Sequence, residues 1–85
     1  MEYVIIAFRS RGHTVKFSEF LRNRGVGVEI VNTPKEAGVG CGLSVKVSKN
    51  NLAFARRCLS LTALDSYAGT FLISNMSGKR TVRII

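Results

Sequence analysis

The chain has 85 residues, 46% of them hydrophobic and 21% charged, which fits one small globular domain over residues 1–85 and excludes a disordered tail, a collagen and a coiled coil. Thirteen Lys and Arg residues against five Asp and Glu give a net charge of +8, which attracts anions, nucleic acids and acidic proteins. No apolar run approaches the roughly 20 residues of a membrane span, and a signal peptide is not recognisable, so we expect a cytoplasmic protein with no membrane contact.

The first half of the chain predicts two strands with a helix between them. Residues Glu2–Phe8 are apolar on both faces, which is typical of a central strand. Apolar side chains recur at helical spacing across residues 13–24, with Ser10 as a candidate N-cap and Gly25 as a suitable helix stop. Residues 26–31 predict a second strand, which ends before Pro34.

The second half predicts a further strand, a helix and one or two strands. Residues 41–47 alternate between apolar and small or polar side chains, as a half-buried strand does. Asn50 or Asn51 is positioned to cap a second helix, and residues 70–74 predict a short fourth strand. Residues 78–85 form either a basic tail or a fifth strand at the sheet edge.

The order β-α-β-β-α-β predicts an α+β fold, the ferredoxin-like split βαβ sandwich, with its core in residues 2–74. We expect one antiparallel sheet of strand order 4-1-3-2 with both helices on one face. This topology brings the end of the first strand, the start of the first helix and the loop before the third strand to one edge. Arg9, Arg11, His13 and Cys41 are therefore predicted to be neighbours.

The loop around Cys41 carries the densest local signal, because glycines at positions 38, 40 and 42 surround one thiol. Glycine lets another molecule approach the backbone, and successive N–H groups can bind an anion. We expect Gly40 and Gly42, with Arg9 and Arg11, to stabilise a Cys41 thiolate or a chalcogen bound to it. Alternatively, the glycines only shape the turn and Cys41 is a small buried residue. Cys58 lies on the apolar face of the second helix, which favours a place in the core.

The sequence gives little support for metal, cofactor or hydrolytic chemistry. Two cysteines and one histidine without a Cys-x-x-Cys pair do not make a metal site, and we expect no cofactor. The glycine-rich loop lacks the Lys-Ser or Lys-Thr ending of a phosphate-binding loop. The one histidine and one aspartate, Asp65 at the far end of the second helix, give no credible Ser-His-Asp set.

Several of these segments resemble the Se/S carrier protein-like family of small bacterial and archaeal domains, over about residues 2–74. The resemblance rests on the opening strand, the helix ending in Arg-Asn-Arg-Gly, and Pro34-Lys35-Glu36 followed by Cys41-Gly42-Leu43. It implies a carrier rather than an enzyme, in which Cys41 bears sulfur or selenium as a persulfide or perselenide. Such a carrier takes the atom from a donor such as a cysteine desulfurase and passes it to an acceptor protein. In that mechanism Lys35 would add positive charge, and His13 is a candidate for proton transfer; the alternative for His13 is an ordinary polar residue of the helix.

The main alternative is a small basic ferredoxin-like module that binds nucleic acid or protein and has no redox role. Domains of this topology that bind RNA on the sheet surface need aromatic side chains on the first and third strands, on which the bases stack. Here the third strand has none, and the first offers Tyr3 and Phe8 on opposite faces, so nucleic acid is not the favoured partner. A further alternative is a homodimer that pairs through the β-forming residues 82–85.

Overall fold

The computed structural model describes all residues of the chain, 1–85, as an α+β domain with two helices and a five-stranded sheet. Neither helix is long and apolar enough to cross a membrane. Short 3₁₀ turns occupy Lys35–Ala37 and Lys49–Asn51. In chain order the elements are β1 (Glu2–Phe8), α1 (Arg11–Arg22), β2 (Val28–Asn32), β3 (Leu43–Val47), α2 (Leu52–Thr62), β4 (Tyr67–Met76) and β5 (Lys79–Ile84).

The sheet is antiparallel throughout, in the order β2-β3-β1-β4-β5, with β1 at its centre. The α+β class is confirmed, and the ferredoxin-like arrangement is confirmed in part, because a fifth strand extends the sheet beyond β4. Residues 78–85 are thus mostly an edge strand, not a tail. Ser77 and Gly78 both have positive φ, 52° and 77°, as a two-residue hairpin turn requires, and this turn lets β4 run on to Met76.

Most predicted boundaries differ from the structure by a few residues, and two of the differences, near Cys41, have a local reason. Helix α1 begins at Arg11 rather than His13, because the Ser10 side chain caps it by accepting a hydrogen bond from the His13 backbone N–H at 3.2 Å. Strand β3 begins at Leu43, because Gly42 has φ 95° and leaves the extended conformation. Cys41 therefore lies in the loop before the strand and not within it.

The main core lies between the sheet and the two helices. Val4, Ile6 and Phe8 alternate along β1 and face this core, where Phe8 packs against Phe17 of α1 at a ring-centroid distance of 5.3 Å. Cys58 of α2 is 1% exposed in the same cluster, as predicted from its place on the helix face.

A second apolar cluster covers the other face of the sheet, where no helix lies. Ile5 and Ala7 are fully buried there beside Phe71 and Ile73. The β2–β3 loop, residues 33–42, supplies the cover, since its Ala37 and Val39 pack against this cluster. The loop also reaches the far edge of the sheet, where Glu36 pairs with Arg80 of β5 at 3.0 Å.

We expect Phe17→Ala to lower the free energy of unfolding by about 3–5 kcal/mol, because it leaves a cavity beneath the central strand. The matched control is Phe54→Ala on α2, whose side chain is exposed and whose loss should cost about 1 kcal/mol or less. Urea denaturation measures both values. Equal destabilisation by the two substitutions would contradict the described core.

Candidate functional site

The backbone around Cys41 is fixed to the end of β1. The Cys41 N–H donates to the Phe8 carbonyl at 3.0 Å, and the Thr33 N–H donates to the Gly42 carbonyl at 2.9 Å. Gly40 has φ 92°, and a Cβ there would lie 3.2 Å from the Phe8 carbonyl oxygen. Position 40, where the β2–β3 loop passes β1, therefore accepts glycine without strain and disfavours any larger residue.

The Cys41 side chain is half-buried against the first turn of α1. Its Sγ lies 3.6 Å from the Leu43 carbonyl oxygen and 3.7 Å from Thr14 Oγ1. Thr14 is buried, and its hydroxyl donates to the same Leu43 carbonyl at 3.4 Å. The Cys41 sulfur thus lies where the start of α1 meets β3, at one edge of the sheet. The predicted topology places Cys41 and α1 together in the same way. Thr14 was missed, because nothing in the spacing of the sequence links two residues 27 positions apart.

The predicted arginines and histidine take different places around this rim. Arg9 is exposed and lines the cleft described below, while Arg11 is exposed at the first position of α1. The His13 ring contacts the start of β4 instead of the loop, with Nδ1 2.6 Å from Ser66 Oγ and 4.0 Å from Asp65 Oδ1. A role for His13 in proton transfer to Cys41 stays a prediction.

His13, Asp65 and Ser66 do come together, contrary to the expectation that Asp65 lies too far away. They do not form a catalytic relay, because a relay needs the acid and the hydroxyl on different ring nitrogens, and here both face Nδ1. Ser66 Oγ also accepts the Ser10 backbone N–H at 3.2 Å, which ties the start of α1 to β4. The contacts of His13, Asp65 and Ser66 therefore hold the start of α1 in place.

An open cleft of about 490 Å³ lies on the outer side of the β2–β3 loop. Arg9 and Lys35 supply its charged side chains, and no carboxylate lines it. Glu36, the one acidic residue of the loop, is instead held by Arg80. The cleft is lined by Arg9, Thr33, Pro34, Lys35, Gly38, Val39, Gly40 and Gly42.

The ion pair of Glu36 and Arg80 holds the loop across the sheet. Arg80 donates to both carboxylate oxygens of Glu36, at 3.0 and 3.3 Å. The backbone N–H of Glu36 itself and the Arg80 guanidinium lower the pKa of this carboxyl below its ordinary value. The side chain is exposed, so the pair positions the loop more than it stabilises the whole fold.

The outer sheet face offers little to a nucleic acid. Lys46 Nζ lies 4.4 Å above the Tyr3 ring, and Tyr3 is half-buried. Phe71, the other aromatic side chain in the cluster on this face, is 3% exposed and cannot stack with a base. No three His, Cys, Asp or Glu side chains lie together as a metal site would require.

One comparison with known proteins gives a match. The family model described as "Putative Se/S carrier protein-like" matches residues 3–65, well over half of the chain. The matched segment contains both cysteines, the β2–β3 loop and both helices. No curated protein and no solved structure matches the chain.

We expect the Glu36 carboxyl to titrate below an ordinary glutamate, and Arg80→Gln to move its midpoint upward by removing the cation. Because the pKa of the Glu36 carboxyl is lowered in the folded state, the pair stabilises the folded state fully above the unfolded pKa of this carboxyl. That stabilisation is lost as the pH falls through the folded pKa. Carboxyl ¹³C shifts measured against pH report the midpoint. Glu2 is the internal control, because hydrogen bonds from Lys49 and Ser74 lower its pKa and Arg80→Gln leaves them intact. An unchanged Glu36 midpoint would contradict the ion pair.

We expect iodoacetamide to alkylate Cys41 in the folded protein at least about 100-fold faster than Cys58, because access to Cys58 requires an opening that costs several kcal/mol. The single-cysteine variants Cys41→Ser and Cys58→Ala separate the two rates by intact mass. In denaturant both thiols should react at similar rates, which serves as the control. Similar rates in the folded state would show that the burial of Cys58 is wrong.

Proposed function

The chain belongs to the Putative Se/S carrier protein-like family, and on that premise we propose that it carries sulfur or selenium on Cys41 as a persulfide or perselenide. The placement of the two cysteines carries the proposal. Cys58 is sealed in the core, whereas Cys41 is half-buried in a loop at the rim of the sheet. A carrier needs a sulfur that a donor protein can reach, and of the two thiols Cys41 is the one placed nearer the surface, which supports the proposal.

The transfer is a thiol exchange. The Cys41 thiolate attacks the terminal sulfur of a persulfide on the donor enzyme, and a new sulfur–sulfur bond forms at Sγ. The bond between that sulfur and the donor's cysteine breaks, and the donor leaves as a thiolate with the bonding electron pair. The step needs no external oxidant or reductant, and the same exchange with an acceptor thiolate releases the atom.

The start of α1 favours an anion on the Cys41 sulfur, whereas the Leu43 carbonyl oxygen, 3.6 Å from Sγ, opposes it. Sγ lies beside the first turn of α1, where the helix dipole is positive, and Arg11 stands at the start of that helix. Arg9 and Lys35 would add positive potential only at longer range, because they line the cleft on the other side of the loop and Cys41 is not part of its wall. Gly40 and Gly42, next to Cys41 in the chain, would let a donor approach the backbone. His13 would exchange protons with solvent at the same rim. These roles are part of the proposal.

The partners proposed are a sulfur or selenium donor, such as a cysteine desulfurase, and an acceptor protein in the cytoplasm. The net charge of +8 favours acidic partner surfaces, because opposite potentials accelerate encounter. The loop glycines leave open space beside Gly38 and Gly42, where a Cβ would meet nothing within 4 Å. A donor could approach the backbone on both sides of Cys41.

A cysteine desulfurase supplied with cysteine tests the proposal. We expect intact mass spectrometry to show a one-sulfur adduct on the wild-type chain that dithiothreitol removes. Cys41→Ser should abolish the adduct, since no other thiol is accessible. The corresponding enzyme that releases selenium from selenocysteine should give a one-selenium adduct if the carrier also accepts that element.

Cys58→Ala is the matched control and should acquire sulfur like the wild type. Circular dichroism and the Phe17 environment by NMR confirm that each variant is folded before it is tested. No adduct on the folded wild-type chain, or an adduct that survives Cys41→Ser, would overturn the proposal.

A further inference from the structure

The β2–β3 loop holds three backbone donors that the fold leaves free. Within residues 38–42, the Gly38 N–H donates to the Lys35 carbonyl at 3.1 Å and the Cys41 N–H donates to the Phe8 carbonyl. The N–H groups of Val39, Gly40 and Gly42 have no acceptor within the protein. Backbone N–H groups are strong donors that are normally paired, so three free ones in one short loop are available to a ligand.

These three residues line the cleft together with two unpaired cations. Arg9 and Lys35 take part in no ion pair, although both belong to the cleft wall. Glu36, the acidic residue of the same loop, is paired with Arg80. The cleft therefore combines a fork-shaped guanidinium, an ammonium group and free N–H donors, with no carboxylate in its lining.

The loop is also held in place before any ligand arrives. The Cys41–Phe8 and Thr33–Gly42 backbone hydrogen bonds fix both of its ends, and Gly40 packs closely on β1. The pair of Glu36 and Arg80 fixes its middle. A site that is already ordered loses little conformational entropy on binding.

We infer that this cleft is a binding site for a small tetrahedral oxyanion, of the phosphate or sulfate type. The site is distinct from the sulfur of Cys41, whose Sγ contacts Thr14 and the Leu43 carbonyl while Cys41 is absent from the cleft wall. The inference goes beyond the carrier function and does not depend on it. The cleft volume exceeds that of one oxyanion, so the anion can be free or carried on a small organic group.

Titration of the ¹⁵N-labelled full chain with inorganic phosphate tests the site. Chloride is reduced in step to keep the ionic strength constant, because a chain of charge +8 attracts any anion non-specifically. We expect saturable shifts of the Val39, Gly40 and Gly42 amide signals. Shifts that do not saturate, or that follow the surface Lys and Arg residues generally, would overturn the inference.

Two substitutions that each remove one positive charge distinguish binding in the cleft from attraction by the net charge. Arg9→Gln should weaken phosphate binding about tenfold, as expected for loss of a charged hydrogen-bonding partner. Arg56→Gln removes the same charge from the exposed face of α2 and should leave the affinity within about twofold of the wild type. Equal weakening by both variants would mean that net charge alone attracts the anion and would overturn the site.

Cys41→Ser separates this inference from the proposed function. It should retain phosphate binding while losing the sulfur adduct, and loss of phosphate binding in the folded variant would contradict a separate site. A parallel titration with adenosine monophosphate identifies the source of the anion. Tighter binding of the nucleotide at the same loop amides indicates a phosphate ester, and equal or weaker binding indicates the free oxyanion; absence of both overturns the inference.

Discussion

The hydrogen bond from the Cys41 N–H to the Phe8 carbonyl is the contact on which the rest of the site depends. Phe8 ends the central strand, and its side chain is anchored in the main core against Phe17. The bond therefore attaches the loop that carries the half-buried Cys41 to the rigid core. Gly40 makes it geometrically possible, since a larger residue would collide with the same carbonyl. Together with the Thr33–Gly42 hydrogen bond and the Glu36–Arg80 pair, this contact fixes the position of the loop.

The β2–β3 loop separates two kinds of anion chemistry on its two sides. Toward the helices, the Cys41 sulfur sits among a hydroxyl, a carbonyl and the start of α1. Away from them, Arg9 and Lys35 line an open cleft together with the three residues whose N–H groups have no acceptor within the protein. The sequence-based expectation placed all these groups around the sulfur. In the structure the loop has an inner and an outer surface, so the sulfur of Cys41 and the oxyanion cleft involve different atoms.

Local patterns in the sequence predicted what depends on local geometry. Helical spacing placed Cys58 in the core, and strand order placed Cys41 beside α1, because both follow from periodicity and chain direction. Contacts between distant side chains could not be predicted in this way. Glu36 and Arg80 are 44 positions apart, and His13 and Ser66 are 53 apart, so no spacing rule links them. The Ser10 cap at the start of α1 could be recognised from the sequence, because serine is a common N-cap residue. The start of β3 depends on the backbone angle of Gly42, which is visible only in three dimensions.

One edge of the central strand β1 is covered only by β4, in the last part of the chain. β1 is paired on one side by β3, within the residues that the family model matches, and on the other by β4, which follows them. A chain ending at Asp65 would present the bare edge of its most apolar strand to solvent. Such an edge recruits other strands and promotes aggregation. By pairing with β1, the hairpin of β4 and β5 covers this edge and prevents it from pairing with other chains.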